Sequence, residues 1–365
     1  MKINLVLPTL AHSGGVQMAL EYMNYFVNNG NDVVCYVPLT GPYYGLRKIL
    51  FLKTIIHVCI SKKFFKNIRG KWFDNKFKIR FVPSINDFNL RNADVTIATS
   101  WITSYWVINL NKKKGKKVYF IQDYETWGND KENELVKKSY ILPFDLRITV
   151  STSLHNKLWR DFKSDSKILP NGIKEKYIRK SKKNFHKLIV GFPYRKVRGK
   201  EDIKNSSFAI KALSDFQKEK NIEIKSFGFE KPQNWNDKID FLEDPTRKQL
   251  FAWYDDIDVF YVPSLYEGWG LPAMEAMARG CVVIAANTGC IYEYGQHMVN
   301  CYKLKNMRNK EELYTALKYF LTANEAIMQS ISQDAIETVR KYSFEKEGQK
   351  FLFFLDNIVN SLGVG

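Results

Sequence analysis

The sequence predicts an α/β protein of two domains, each built on a mostly parallel sheet flanked by helices. Three observations predict it. The chain has 365 residues, which at roughly 100–200 residues per domain suggests two domains. Short strands rich in β-branched residues alternate with helix-period segments, and this alternation runs through the chain twice. Between the two series lies "PNGIKEKYIRKSKKNFH" (170–186), heavy in Pro, Gly and charge and poor in apolar periodicity, which reads as the domain linker.

The first series opens with "KINLVLP", a buried strand, and the loop "TLAHSGG". In "VQMALEYMNYFVNNG", Val16, Ala19, Leu20, Met23, Phe26 and Val27 fall at helical spacing, with Gly30 just past the end. "DVVCYVP" is a second strand; "ADVTIATS", "KKVYFIQD" and "DLRITVS" are three more. The second series restarts with strand "HKLIVGFPY", helix "SSFAIKALSDFQKE" and strand "IEIKSFGF". A short helix, "TRKQLFAWYDDI", is capped by Thr246 and leads into strand "DVFYVPS". "LPAMEAMARG" reads as helix 272–279, with Pro272 in its first turn and Gly280 at its end, and "CVVIAAN" closes the unit. From about residue 310 the chain reads as helical. The expected division is 1–175, 176–340, and a C-terminal helix, 341–365, packing back toward the first domain. Two Rossmann-type halves with parallel sheets bind ligand in a central cleft, at the carboxyl ends of their strands.

Composition narrows the classes. The five cysteines show no C-x-x-C spacing, so neither a zinc site nor a disulfide framework is expected, and a reducing cytoplasm suits them. The opening "MKINLVLPTL" lacks the long apolar core of a secretion signal, and the sequence has no apolar run of about 18 residues. The formal charge of +18 leaves three partners: nucleic acid, an anionic membrane surface, or a phosphorylated small ligand. No aromatic–basic motif on a nucleic-acid reader fold is present, so no nucleic-acid partner is expected; a gel shift would reveal a purely charge-driven binder.

The densest chemistry lies in "VPSLYEGWGLPAMEAMARG" (262–280). Glu267 and Glu275 stand eight positions apart across a Gly-Trp-Gly turn. The loop follows a strand and so sits at the carboxyl end of the sheet. The next helix aims its free N–H groups and positive dipole end at the same place, a site fit for a diphosphate. Gly268 and Gly270 let a ligand approach the backbone. Glu275, expected in the first turn of the helix, can accept from two adjacent hydroxyls such as those of a ribose, and Glu267 faces the other end of the ligand. This spacing suits a nucleoside-diphosphate sugar. It suits equally a Glu275 that balances the helix dipole and a Glu267 that is a solvated loop residue.

Here the chain resembles a family. "PSLYEGWGLPAMEAMARGCVVIAAN" looks like the signature of retaining, family-4-type glycosyltransferases of the GT-B fold, in which two glutamates are separated by seven residues. "ADVTIATS", "KILPNGI" and "YSFEKEGQKFLFFLD" also resemble family segments, and the likeness is densest over 255–300. The resemblance implies that Glu275 binds ribose and Glu267 the transferred sugar. It implies a basic pair after the first strand of the second domain, usually Arg and Lys-Gly. In "VGFPYRKVRGKED" the Lys-Gly position is read as Arg198-Gly199, with Arg195, Lys196 and Lys200 nearby. Arginine there keeps the charge and adds a bidentate fork for phosphate.

Glu267, Arg195 and Arg198 are thus the expected catalytic residues. Glu275, Gly15, Lys196, Gly268, Trp269, Gly270 and Leu271 are expected to hold the donor. Gly14 and Gly15, in "TLAHSGGVQMAL", resemble the family's glycine-rich loop, which lacks the G-x-G-x-x-G of a dinucleotide site. His12 sits where an acceptor could pass. In "YFIQDYETWG", which is similar to a segment of bacterial cell-surface rhamnosyltransferases, Gln122, Asp123 and Glu125 are acceptor-side candidates; a surface turn is the alternative. "EDPTRKQL" looks like the turn that frames the base. Asp256-Ile257-Asp258 mimics a metal-binding D-x-D but leads into a strand, and no metal or other cofactor is expected.

The implied function is retaining transfer of a sugar from a nucleoside-diphosphate donor to a glycan or lipid-linked acceptor in bacterial cell-surface polysaccharide synthesis. The basic–aromatic stretch 45–80 and the five lysines of "NKKKGKK" (111–117) suggest a cytoplasmic chain peripheral on an anionic inner leaflet; an ordinary solvated basic face is the alternative. Rival readings are a sucrose- or trehalose-phosphate-synthase-like enzyme with a soluble acceptor, and a GT-B scaffold without activity.

Overall fold

The structure is a computed structural model describing residues 1–10, 13–39, 75–126, 128–185, 187–196 and 202–361. It has two compact units, Met1–Pro170 with Glu345–Gly365, and Asn171–Phe344. His12, Arg198, Gly199, Lys200 and most of the basic stretch 45–80 lie outside the described residues.

The first unit holds β1 (Lys2–Val6), α1 (Gly14–Asn28), β2 (Asp32–Pro38), β3 (Lys78–Val82), β4 (Val95–Ala98), α2 (Trp101–Ile108), β5 (Lys116–Ile121), α3 (Asp130–Ser139), β6 (Leu146–Thr149), α4 (Thr152–Phe162) and β7 (Lys167–Ile168). The second holds β8 (Ile189–Pro193), α5 (Ser206–Glu219), β9 (Glu223–Gly228), β10 (Asp240–Glu243), α6 (Arg247–Asp256), β11 (Val259–Val262), α7 (Leu271–Ala278), β12 (Val282–Ala286), α8 (Gly289–Tyr294), β13 (Tyr302–Leu304), α9 (Lys310–Thr322) and α10 (Glu325–Arg340). Helix α11 (Phe344–Asn360) follows, and all but its first residue belongs to the first unit.

Each unit is one parallel sheet. The orders are β3-β2-β1-β4-β5-β6-β7 and β10-β9-β8-β11-β12-β13. In both, strand order reverses beside the first strand, so a crevice opens between the carboxyl ends of β1 and β4 and of β8 and β11, the place where open α/β sheets take ligands. Central strands are buried on both faces, as crossover helices require: Val259, Phe260 and Tyr261 of β11 are all fully buried. Phe192, Phe216, Val282 and Leu317 lie in the same core of the second unit. In the first, Phe351 of α11 packs its ring on Tyr22, Phe26 and Phe120, with centroids 5.2–5.3 Å away.

The stretch 170–186, expected as a bare linker, is fastened to the second unit along its described part. Arg179 donates its N–H to the Ala278 carbonyl and pairs with Asp255 at 2.9 Å. Lys183 is 3 % exposed and donates to the Asp255 carbonyl at 2.7 Å. These bonds satisfy backbone acceptors at the ends of α6 and α7, which apolar periodicity does not register.

Candidate functional site

The loops after β8 and β11 flank the crevice of the second unit. They are tied together by the Leu265 N–H, which donates to the Ile203 carbonyl at 2.9 Å. Glu267, on the β11 loop, is an ion pair with Lys204, Nζ to Oε2 2.8 Å, with only 15 % of the glutamate side chain exposed. Lys204 reaches it because the next residue, Asn205, takes a left-handed conformation (φ 53°) and starts α5. Asparagine tolerates that region better than most residues, so Lys204-Asn205 makes the turn a Lys-Gly pair would make. The pair expected from the sequence, Arg198-Gly199, lies outside the described residues, and Lys204 stands two residues before α5 begins.

The bend that carries Glu267 needs glycine in two places. Gly270 has φ +87° and precedes α7. Gly289 has φ +53°, and a Cβ on it would lie 2.3 Å from the Trp269 carbonyl oxygen and 2.9 Å from Glu267 Cβ. The α8 loop is thus the floor on which the bend rests. Gly268 is buried and Leu271 half-buried. Trp269, expected to meet the donor, is 3 % exposed: its indole donates to the Met274 sulfur at 3.2 Å and packs against Tyr294 and Tyr342. Its side chain anchors the bend, and only its backbone can face a ligand.

Glu275 is not in the first turn. Helix α7 begins at Leu271, so the glutamate is its fifth residue and too far along to answer the first N–H groups. Its N-cap residue, Gly270, has no side chain to cap the helix start, and Pro272 contributes no N–H. Glu275 is 5 % exposed. Its Oε1 accepts from Arg247 Nη1 at 2.6 Å and its Oε2 from the Tyr254 hydroxyl at 3.4 Å. Burial pulls the Arg247 guanidinium down, but the Glu275 charge and hydrogen bond outweigh it, and the net shift is upward. Burial, reinforced by the same carboxylate, drives the Tyr254 hydroxyl well up, so it stays a donor.

Arg195 follows β8 half-buried, its guanidinium 4.6 Å from the Phe229 ring centre and its N–H donating to Ser206 Oγ. Lys196 is exposed and pairs loosely with Glu230 at 3.6 Å. Asp258 accepts from the Ile189 N–H at 2.9 Å and so pins β8 to β11. That structural duty explains the D-x-D look-alike.

In the first unit, Ser13 caps α1 by accepting from the Val16 N–H at 3.2 Å. Gly15 offers its carbonyl to Gln122 Nε2 at 3.0 Å, and a Cβ there would touch the Gln122 amide at 3.4 Å. Gln122 is therefore locked to the first turn of α1 while its Oε1 is buried without a partner among the described residues. Asp123 is half-buried and accepts from the Tyr124 N–H at 2.8 Å. The Glu125 carboxylate accepts from the Trp101 N–H, at the start of α2, at 2.7 Å. Burial pushes this carboxyl up to about 8, against the Trp101 hydrogen bond and with a smaller push from Asp123. Gln122, Asp123 and Glu125 all follow β5 at the carboxyl edge of the sheet, Gln122 against α1 and Glu125 against the start of α2.

The lysine run 111–117 is not wholly the solvated face that a membrane would meet. Lys114 and Lys117 are 6 % and 7 % exposed and spend their ammonium groups on the Leu90 and Gly115 carbonyls, each at 2.7 Å. No helix among the described residues is long and apolar enough to cross a membrane.

Residues 178–338 match the family model "Glycosyl transferases group 1". The matched stretches span only 15 % and 17 % of the first two curated relatives. The second of these is MMP alpha-(1->4)-mannosyltransferase of Mycolicibacterium hassiacum, 36 % identical over 70 residues, 19 % of this chain. Two solved structures share the fold from end to end. Sucrose-phosphate synthase from Thermosynechococcus elongatus superposes with a TM-score of 0.71 at 15 % identity, covering 99 % of both chains. Anabaena HepE, solved with UDP and glucose, has a TM-score of 0.71 at 13 % identity, covering 98 % of this chain and 100 % of its own. At such identities the likeness establishes the fold, a two-domain α/β architecture of GT-B type.

Proposed function

We propose that this chain, a GT-B protein whose residues 178–338 match the group 1 glycosyl transferases, moves a hexose from a nucleoside-diphosphate sugar to a hydroxyl of a glycan or lipid-linked acceptor, with retention of anomeric configuration. The observation that carries the reading is that both motif glutamates are held by a cation at the strand switch point of the second unit: Glu267 by Lys204 at 2.8 Å and Glu275 by Arg247 at 2.6 Å. In this reading Glu275 accepts from the ribose hydroxyls, and Glu267 orients the transferred sugar and the Lys204 ammonium. Lys204 and Arg195 meet the diphosphate, with Arg198 and Lys196 as further cations, and the backbone from Gly268 to Leu271 completes the donor site. UDP and glucose in HepE support a nucleotide-sugar donor.

Retention is proposed through front-side attack. The acceptor hydroxyl bonds to the anomeric carbon on the face from which the diphosphate departs, the glycosidic C–O bond to that diphosphate breaks, and the leaving phosphate oxygen takes the hydroxyl proton. The protein contributes position and charge stabilisation on the leaving group. No metal takes part. Gln122, Asp123 and Glu125, with His12, are the acceptor-side candidates. The setting proposed is polysaccharide synthesis at the cell envelope, with the chain peripheral on the inner face of the membrane.

A thermal-shift panel of nucleoside-diphosphate sugars tests the donor site. A donor at about 100 times its dissociation constant adds about 2.7 kcal/mol of stability, or about 5–10 °C in Tm for domains of this size. One donor should give that shift in wild type and lose it in Glu275→Ala. A chain that no donor stabilises, or a Glu275→Ala variant that responds as wild type does, refutes the reading. NMR of the product then reads the anomeric outcome.

A further inference from the structure

We propose that Arg247 and Tyr254 are positioning residues that set the Glu275 carboxylate as a receptor for exactly two hydroxyls, making the site selective for ribonucleoside over 2′-deoxyribonucleoside diphosphates. The inference rests on the reading of Glu275 as the ribose ligand and adds to it a pair of residues and a substrate class.

Helix α6 presents Arg247 and Tyr254 seven residues apart, two helical turns, and hence on one face. That face meets Glu275 of α7, and each side chain takes a different oxygen: Arg247 Nη1 lies 2.6 Å from Oε1, and the Tyr254 hydroxyl 3.4 Å from Oε2. An ionised carboxylate is an acceptor only, with about four lone-pair sites over its two oxygens. With one site on each oxygen occupied, one on each remains. A vicinal diol donates two hydrogen bonds and fills them. A 2′-deoxyribose donates one and leaves a desolvated oxygen short of a partner, which is costly where Glu275 is 5 % exposed.

Arg247 is built to hold one orientation. Its guanidinium lies 4.7 Å from the Phe251 ring centre and 5.3 Å from that of Tyr177, and those rings stack on each other at 4.1 Å with 4° between planes. Its Nε is buried without a hydrogen-bond partner among the described residues, so the carboxylate and the rings are what fix the plane. At the far end of the same two helices Arg279 grips Asp255 through two nitrogens, at 2.9 and 2.7 Å, so α6 cannot slide along α7. A lysine at 247 would keep the charge and lose the stacked planar fork.

The test is calorimetric titration of the full chain with UDP, GDP, ADP and CDP, each beside its 2′-deoxy counterpart. In wild type, the ribonucleotide that binds should exceed its deoxy partner by about tenfold or more, the factor expected for losing one hydrogen bond to a charged group. In Arg247→Met the preference should collapse to about twofold, with Arg247→Lys between. Circular dichroism checks that each variant is folded. If Arg247→Met is not, Tyr254→Phe carries the same test through the second oxygen, and its preference should fall below the wild-type value. A merely structural role would lower affinity for both sugars equally and leave their ratio unchanged. An unchanged ratio in the folded variants, with Glu275→Ala still weakening the ribonucleotide, overturns the inference and spares the ribose reading. Equal wild-type affinity for both sugars also overturns it. Binding unaffected by Glu275→Ala, or no binding of any nucleotide, sinks the ribose reading itself.

Discussion

Replacing Lys204 by methionine removes one charge and almost no volume, which makes it a clean test of the donor-site chemistry. Lys204 is 34 % exposed along its side chain and its partner Glu267 15 %. The pair is partly solvated, so its net contribution to stability is about 1 kcal/mol at most. At about 2–4 °C per kcal/mol for domains of 150–250 residues, Tm should fall by no more than about 4 °C. Catalysis should respond far more. A preorganised donor aimed at charge developing on a leaving group contributes about 10²–10³ in turnover when removed singly. Lys204→Met should therefore lower kcat by about 100-fold, with KM for the donor rising less, because the diphosphate gains charge as its bond to the sugar breaks. The assay is release of nucleoside diphosphate from the donor found by thermal shift, with and without acceptor. Lys204→Arg should recover part of the rate. Wild-type turnover in the methionine variant would show that the ammonium does nothing beyond steadying Glu267, and the assignment of Lys204 to the diphosphate would fail with it.

Two further expectations concern the supports of the site. Gly289→Ala puts a Cβ into the Trp269 carbonyl at a left-handed φ of 53°; urea unfolding should show a loss of about 2–4 kcal/mol, with weaker donor binding because Glu267 rides on the displaced bend, and a change under about 0.5 kcal/mol would contradict the packing described. The Glu125 carboxyl, raised to about 8 in the folded chain, binds a proton there that the unfolded chain has lost. Its contribution is fully present below its unfolded value, declines as pH rises toward 8, and is flat above; the slope is at most about 1.4 kcal/mol per pH unit. Glu125→Gln should flatten that decline in stability measured from pH 5 to 8, and a decline as steep as wild type would place the titrating group elsewhere.

Periodicity and punctuation in the sequence were enough to reveal the two alternating series, the helix stopped by Gly280, the Thr246 cap and the glutamate-bearing bend, because each is a local property of a few neighbouring residues. Helix α2, "WITSYWVI", escaped notice: it is apolar on nearly every side, so no stripe distinguishes it from a buried strand. The edge strands β7, β10 and β13, of two to four residues, have no apolar run of their own and exist because a neighbouring strand offers them a ladder. Helix α7 begins at Leu271, one residue before the start read from the sequence, so Glu275 is its fifth residue; Gly270 and Pro272 fix that start only once the backbone around them is known.

The tertiary structure alone decided which cation serves which carboxylate. Arg247 lies 28 residues from Glu275 in the chain, and Lys204 reaches Glu267 from another loop entirely. It also turned the Trp269 indole inward and set Lys114 and Lys117 to holding backbone carbonyls rather than facing solvent. Sequence spacing reports what one helix or strand does with its own residues. The charge partners of a buried acid are chosen by which elements pack together, and that choice is made across the sheet, where spacing along the chain carries no record of it.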